Sequence, residues 1–213
     1  MDFLPTFPTL LAFTAASLLL AMTPGPDMTL SISRALSQGR GSALQVVVGT
    51  SLGIVVHTLL VAFGISALIT ASPMAFTILK TGGAAYLLWL AVQAIRYGSN
   101  ISVKAANGPR GTALANISTG FWVNLLNPKV IIFFMTFLPQ FISAGDPDVT
   151  GKLIFLGVFF IIVGIPVNIV VILAADKLSG WLQRNPKVLR GIDYTFAGVF
   201  SLFAMKIFFT QAR

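Results

Sequence analysis

Thr23-Pro24-Gly25-Pro26-Asp27 and Asn127-Pro128-Lys129 interrupt two otherwise apolar stretches of the chain, each long enough to cross a bilayer, and Pro24 and Pro128 lie 104 positions apart. Thr23 and Asn127 are residue types that cap helix N-termini. Proline is tolerated at the first helical position, where its missing N–H has no intrahelical acceptor. Each break therefore reads as a helix that stops and restarts, with Pro26 at the third position, still among the free donors. A restarted helix presents unpaired N–H groups and the positive end of its dipole, a setting that suits a carboxylate. One such break alone reads as a packing kink, common in membrane helices. Two at corresponding places read as a solute site between repeats of a transporter.

The composition sets this reading in a bilayer. Apolar residues make up 56% of the 213 positions and charged residues 9%, against roughly 25% charged in a soluble domain, and the mean hydropathy is +0.89. The length suits about six spans of about 20 residues with short connections. There is no cysteine, one histidine and no glutamate, so thiol chemistry, disulfides and a multi-ligand metal centre are not expected, and no cofactor is implied. An intramembrane enzyme would need a nucleophile with a base or a metal cluster, which this inventory does not support.

Spans are expected at about 8–32, 43–69, 75–95, 114–139, 152–175 and 190–209. Arg34, Arg40, Arg96, Lys104, Arg110, Lys177, Arg184, Lys187 and Arg190 then fall in the odd connections, whereas the other side holds Lys80, Lys152 and Arg213. By the positive-inside rule the odd connections face the cytoplasm and both termini face outward. The net charge of +8 is thus a topology signal, and nucleic acid is not an expected partner. Met1-Asp2-Phe3 has no positive n-region, so the first apolar stretch is expected to be a span and not a cleaved signal.

Ser72-Pro73, Asn107-Gly108-Pro109, Asp146-Pro147-Asp148 and Asn185-Pro186 mark the turns. The whole chain, 1–213, reads as one all-α transmembrane domain: a three-helix repeat over 1–96, a polar cytoplasmic linker over 97–111 and a second three-helix repeat over 112–213. Three spans per repeat is an odd number, so the halves would be inverted, with the first and fourth helices broken at proline. Side-chain identity between the halves is poor; span order and the two breaks carry the repeat.

Asp27 and Lys129 follow the restarts directly, and each is costly in hydrocarbon, by about 2.5–3.5 kcal/mol on insertion scales. At 1.5 Å per residue Asp27 lies about 10 Å from the inner boundary and Lys129 about 16 Å from the outer one, which puts them within roughly 5 Å of the same depth in a core about 30 Å thick. Asp27 suits a helix N-terminus, so a structural role stays open for it. Lys129 opposes the dipole and calls for an anionic partner, either Asp27 or a solute carboxylate; about 16 Å is too far for it to snorkel to the interface. His57 is either a proton relay or solute contact, or a neutral imidazole bonded between helices. Asn168, after the Gly164 to Pro166 interruption, is a further cavity-lining candidate. Asp176 and Asp193 read as interfacial ion-pair residues. Tyr86, Trp89, Trp122 and Trp181 read as packing and interfacial anchors, and Gly49, Gly53, Gly64, Gly82 and Gly83 as sites of close helix packing.

The order Thr-Pro-Gly-Pro-Asp at 23–27, Ser-Gln-Gly-Arg at 37–40, His57, Leu-Lys-Thr-Gly-Gly-Ala-Ala-Tyr-Leu-Leu-Trp-Leu at 79–90, Gly-Phe-Trp-Val-Asn-Leu-Leu-Asn-Pro-Lys at 120–129 and Phe-Leu-Pro-Gln-Phe at 137–141 resembles the LysE/RhtB family of bacterial amino-acid exporters. The resemblance covers essentially the whole chain, with a lean toward the threonine and homoserine exporters. It implies efflux of amino acids or close derivatives across the bacterial inner membrane, driven by the proton-motive force. Asp27 stands where many relatives have Asn. The expected binding set is Thr23, Pro24, Gly25, Pro26, Asp27, Asn124, Asn127, Pro128 and Lys129, with the solute carboxylate on free N–H groups after Pro128 and its ammonium at Asp27. Asp27 and His57 are the proton-coupling candidates. The partners are the amino acid, protons and lipid; a homodimer is left open. A passive channel or ion carrier lined by Asp27, Lys129 and His57 is the alternative.

Overall fold

The computed structural model describes residues 4–97, 111–142, 145–175, 177, 181 and 184–211. Asn107-Gly108-Pro109 with nearly all of the expected linker, and Asp176 and Arg213, lie outside them. Among the described residues there is no strand. The elements are α1 (Phe7–Met22), α2 (Pro26–Gln38), α3 (Arg40–Ala71), α4 (Pro73–Tyr97), α5 (Ala113–Leu125), α6 (Pro128–Phe137) with a 3-10 turn at Leu138–Phe141, α7 (Val149–Leu173) and α8 (Pro186–Gln211).

Both breaks are present, and they bend the chain almost equally, by 53° between α1 and α2 and by 54° between α5 and α6. Their local chemistry differs. Asn127 is extended, its side chain accepts from the Lys129 N–H, and Pro128 opens α6 as expected. At the first break the restart comes later than expected. Thr23 and Gly25 each precede a proline, which drives both to extended backbone, with Gly25 at φ −160°, ψ −178°. The helix cannot resume before Pro26, which takes the first position in place of the third. Gly25 is therefore the N-cap and supplies no side-chain acceptor. The Thr23 hydroxyl points backward instead, donating to the Leu19 carbonyl at 2.7 Å.

Three helices, α3, α4 and α7, are long and apolar enough to cross a membrane, or five spans if each bent pair counts as one. The sixth expected span corresponds to α8, 26 residues long but diluted by Lys187, Arg190, Asp193 and Lys206. Pro166 stays inside α7 without ending it. Phe7, Met74 and Leu114 are 75–77% exposed, an apolar perimeter suited to lipid and not to water.

α3 packs along α5 and α7, and α4 along α8. The α3–α5 crossing is close because it is built on glycine: a Cβ at Gly49 would lie 2.0 Å from the Ile117 carbonyl oxygen, and one at Gly120 2.3 Å from that of Val46. Gly53, one turn after Gly49, lies under Asn124, and Gly83 lies under Thr136. Small residues at such crossings let backbones approach within a membrane. Gly64 and Gly82 depart from the expected close packing, since nothing lies within 4 Å of an added Cβ there. Gly120→Ala is expected to destabilise the fold by about 1–3 kcal/mol through overpacking, and Gly82→Ala to be neutral; thermal unfolding of the two proteins in detergent checks the contrast.

Two ends of the bundle are distinct. At one, arginines close helix C-termini, where cations complement both the free carbonyls and the dipole. Arg40 donates to the Leu173 carbonyl at the end of α7, and Arg190 donates to Ala94 and Ile95 near the end of α4. Toward the other end the core is aromatic: Phe13 of α1, Phe133 and Phe137 of α6, Phe160 of α7 and Phe200 of α8 are all buried, with centroid separations such as 4.6 Å for Phe133–Phe137 and 5.7 Å for Phe137–Phe200.

Candidate functional site

Between the two breaks lies a cavity of about 80 Å³, several times the about 10–15 Å³ that one buried water requires. Thr23, Gly25 and Asp27 of the first break and Asn124, Asn127 and Lys129 of the second line it. Its remaining walls come from α3, through Thr50 and Ser51, and from α7, through Phe160 and Asn168. The Asn168 carboxamide also donates to the Gly164 carbonyl at 3.0 Å.

Side chains of each break reach the other. The Lys129 ammonium, at the start of α6, donates to the carbonyls of Thr23 at 2.7 Å and Leu20 at 3.2 Å, where α1 ends. The Asp27 carboxylate, at the start of α2, accepts from Asn124 Nδ2 at 2.7 Å and Asn127 Nδ2 at 3.2 Å, on either side of the second break. Chain interruption in a membrane leaves backbone groups that water cannot satisfy; here carbonyls of the first break are answered by Lys129 of the second, while Asp27 holds the side chains of Asn124 and Asn127. Among the described residues no ion pair joins Asp27 to Lys129; neutral groups hold each charge.

Bonding capacity remains on both. An ammonium has three donors and two are placed; a carboxylate has about four acceptor sites and two are filled. Asn124 Oδ1 is buried without a partner. The cavity thus offers an unused cationic donor on one wall and unused carboxylate acceptors on another, while Asn124 Oδ1 packs against Gly53.

The expected donors after Pro128 are not free in this conformation. The Lys129 N–H goes to Asn127 Oδ1 and the Val130 and Ile131 N–H groups to the Asn127 carbonyl. A solute anion would therefore meet the Lys129 side chain and not the helix terminus. Pro24, Pro26 and Pro128 shape the backbone of the site.

His57 is buried but not in this cavity. Its Nε2 lies 3.4 Å from the Asn124 carbonyl and its ring 5.9 Å from that of Phe134; the imidazole borders a separate apolar groove with Leu60, Val61 and Met135. Its hydrogen-bonded link to Asp27 runs through Asn124. Asp193, expected at the interface, is 1% exposed. It shares one face of α8 with the buried Phe196, Ala197 and Phe200, and its charge acts on Lys129 together with that of Asp27. The i, i+3, i+7 spacing of Asp193, Phe196 and Phe200 was the available signal, since it sets the carboxylate on the core stripe. Trp89, Trp122 and Trp181 are about half exposed, as anchors should be.

Gly53→Ala would place a methyl 2.6 Å from Asn124 Oδ1. It is expected to push the carboxamide off Asp27 and destabilise the fold by about 1.5 kcal/mol, the loss of one charge-assisted hydrogen bond; thermal unfolding in detergent checks this, with Gly64→Ala as the neutral control.

Residues 18–211 match the family described as LysE type translocator. The homoserine/homoserine lactone efflux protein of Salmonella typhimurium is 32% identical over 199 residues, which cover 92% of this chain and 94% of the relative. An uncharacterised membrane protein of Vibrio cholerae is 31% identical over 192 residues, 89% of this chain and 91% of the relative. The cysteine/O-acetylserine efflux protein of Escherichia coli O1:K1 is 37% identical over 142 residues, 63% of this chain and 67% of the relative. No solved structure matches. With its two broken helices joined around one cavity and nearly its whole length matched, the chain is a multi-pass bacterial membrane protein and belongs to the LysE family of translocators.

Proposed function

We propose that the protein exports amino acids or close derivatives from the cytoplasm by alternating access coupled to proton antiport. The observation that carries this reading is the placement of the unused Lys129 donor and the unused Asp27 acceptors on one cavity. A zwitterion satisfies both walls, with its carboxylate at Lys129 and its ammonium at Asp27. The relatives named for efflux of homoserine and of cysteine or O-acetylserine support small polar amino-acid solutes. Asp27 is the coupling group, since the solute ammonium and a proton compete for one carboxylate. His57 acts indirectly, by holding the segment of Asn124.

The topology in this reading has six spans with α8 as the last, both termini outside and the arginine end in the cytoplasm. The self-matching contacts of α3 with α7 and of α4 with α8 support an inverted repeat, since these are the pairs that a two-fold axis in the membrane would exchange. α2 and α6 depart from that symmetry, α2 lying on α3 and α6 on α4. The aromatic core beyond the cavity argues for a closed outer gate and against a continuous passive pore.

The test is transport by purified protein in proteoliposomes. Saturable counterflow of labelled homoserine or threonine, accelerated by an imposed proton gradient, is the expected result. Linear, non-saturating flux that ignores the gradient would establish the channel instead.

A further inference from the structure

Lys129 and Thr23 border two cavities, not one. Beyond them, between α4 and α8, is a second space of about 440 Å³, lined also by Trp89, Gln93, Tyr97 and Phe196. It lies toward the end where Arg190 binds the last carbonyls of α4. The Lys129 side chain, lying between the α1 carbonyls and Gly25, is thus part of the wall between the two spaces. Gly25 leaves room along it, since a Cβ there would stand 3.7 Å from Lys129 Cδ and Nζ, an ordinary contact. Asp193 projects from the buried face of α8, one turn before Phe196 of the second cavity.

We propose that the α4–α8 cavity is the entry vestibule for the zwitterionic solute, that Lys129 is the movable partition between it and the central site, and that Asp193 is a positioning residue offering the ammonium a second resting place. This rests on the export reading for the identity of the solute, and on the two cavities for the gate. In the conformation described here the ammonium lies on the α1 carbonyls and the partition is closed. A shift toward Asp193 exchanges two neutral acceptors for a buried carboxylate and joins the cavities. Such a two-position element needs only a small difference in free energy between its positions to respond to a solute that bonds one of them. An incoming carboxylate, which attracts the ammonium from the vestibule side, is a solute of that kind.

The chain has no cysteine, so single-cysteine labelling can be read without background. Ser51→Cys places a thiol on a wall of the central cavity that the vestibule does not share. A cationic, membrane-impermeant methanethiosulfonate is applied separately to each face of sealed vesicles, with no solute present. Labelling is expected from the face bearing Arg40 and Arg190 alone. Lys129→Ala, which deletes the partition, should speed it by about tenfold or more, and Asp193→Asn, which removes the second resting place, should slow it by a similar factor, with Asp193→Glu restoring the rate. In transport, Asp193→Asn should lower the turnover rate and leave the apparent affinity for solute unchanged, with rates normalised to the folded fraction measured in detergent, because misfolded protein would also lower the rate without moving the affinity. An unchanged labelling rate in either Lys129→Ala or Asp193→Asn, or equal labelling from both faces, would overturn the proposal. If Asp193→Asn does not reach the membrane, Lys129→Ala decides alone. Absence of amino-acid transport by the unmodified protein would remove the export reading and leave the labelling comparison intact.

Discussion

Lys129→Met is expected to reduce export by at least about a hundredfold, a loss of roughly 2.7 kcal/mol of differential stabilisation, and to lower stability as well. The ammonium makes two bonds to carbonyls at the end of α1. Thr23 is followed by a proline, so its carbonyl is in a stretch where the helical ladder has stopped. Leu20 retains the Thr23 N–H at 3.3 Å. Unsatisfied buried acceptors cost about 1–3 kcal/mol each, and the methionine stem keeps most of the packing. Thermal unfolding in detergent should therefore show a moderate loss, while counterflow of homoserine or threonine should show a nearly complete one. Near-normal counterflow by Lys129→Met would remove the ammonium from solute recognition and leave it as a helix cap.

Asp27→Asn is the second large effect, and it separates chemistry from architecture. The carboxylate accepts from the amide groups of both Asn124 and Asn127. A carboxamide at position 27 turns an NH₂ toward one of these donors, which costs about 1–3 kcal/mol for the displaced partner. Insertion and overall fold should survive, because Asp27 contributes no backbone bond to the break. Gradient-driven transport should fall at least about a hundredfold, because a carboxamide takes up no proton in this range, while exchange without a gradient should fall less. Normal acceleration by a proton gradient in Asp27→Asn would exclude Asp27 from coupling. The double variant Asp27→Asn with Lys129→Met should be less destabilised than the sum of the single variants, by about 0.5–3 kcal/mol, because it leaves no uncompensated charge in the bilayer.

Much of the site was legible before any coordinate was known, for a definite reason. Proline acts through the covalent backbone, so its consequences are local and can be read residue by residue. Asn127 caps the helix that Pro128 opens, and both breaks exist. The same rule, applied more strictly, would have found the true start of α2. Two residues of 23–27 precede prolines, and both are barred from helix, which moves the restart to Pro26. The exposure of Trp89, Trp122 and Trp181 likewise follows from what an indole prefers at a membrane boundary.

What remained hidden depends on which surfaces meet. The partners of Lys129 and Asp27 lie 97 to 109 positions away in sequence; Lys129 caps the carbonyls of the opposite break, Asp27 holds its asparagine side chains, and no local pattern specifies that exchange. His57 and Asp193 show the same limit. For His57 the sequence left open a proton relay or solute contact and an imidazole bonded between helices, and its position on α3 sets Nε2 3.4 Å from the Asn124 carbonyl beside an apolar groove. Proximity to basic residues placed Asp193 at the interface, whereas its position on the packed stripe of α8 buries it within the field of Lys129. Glycine divides similarly: Gly49 and Gly120 are crossings and Gly82 is not, because only the partner helix decides whether the missing side chain is occupied by another backbone. By itself the sequence determined a multi-pass, all-helical chain with two proline-capped interruptions and one charge beside each, since apolar length and backbone restriction are local properties. Only the tertiary structure decided that side chains link the interruptions around a shared cavity and that Asp193 is buried on the packed face of α8, since side-chain partnership across helices follows from rotation, crossing angle and close approach.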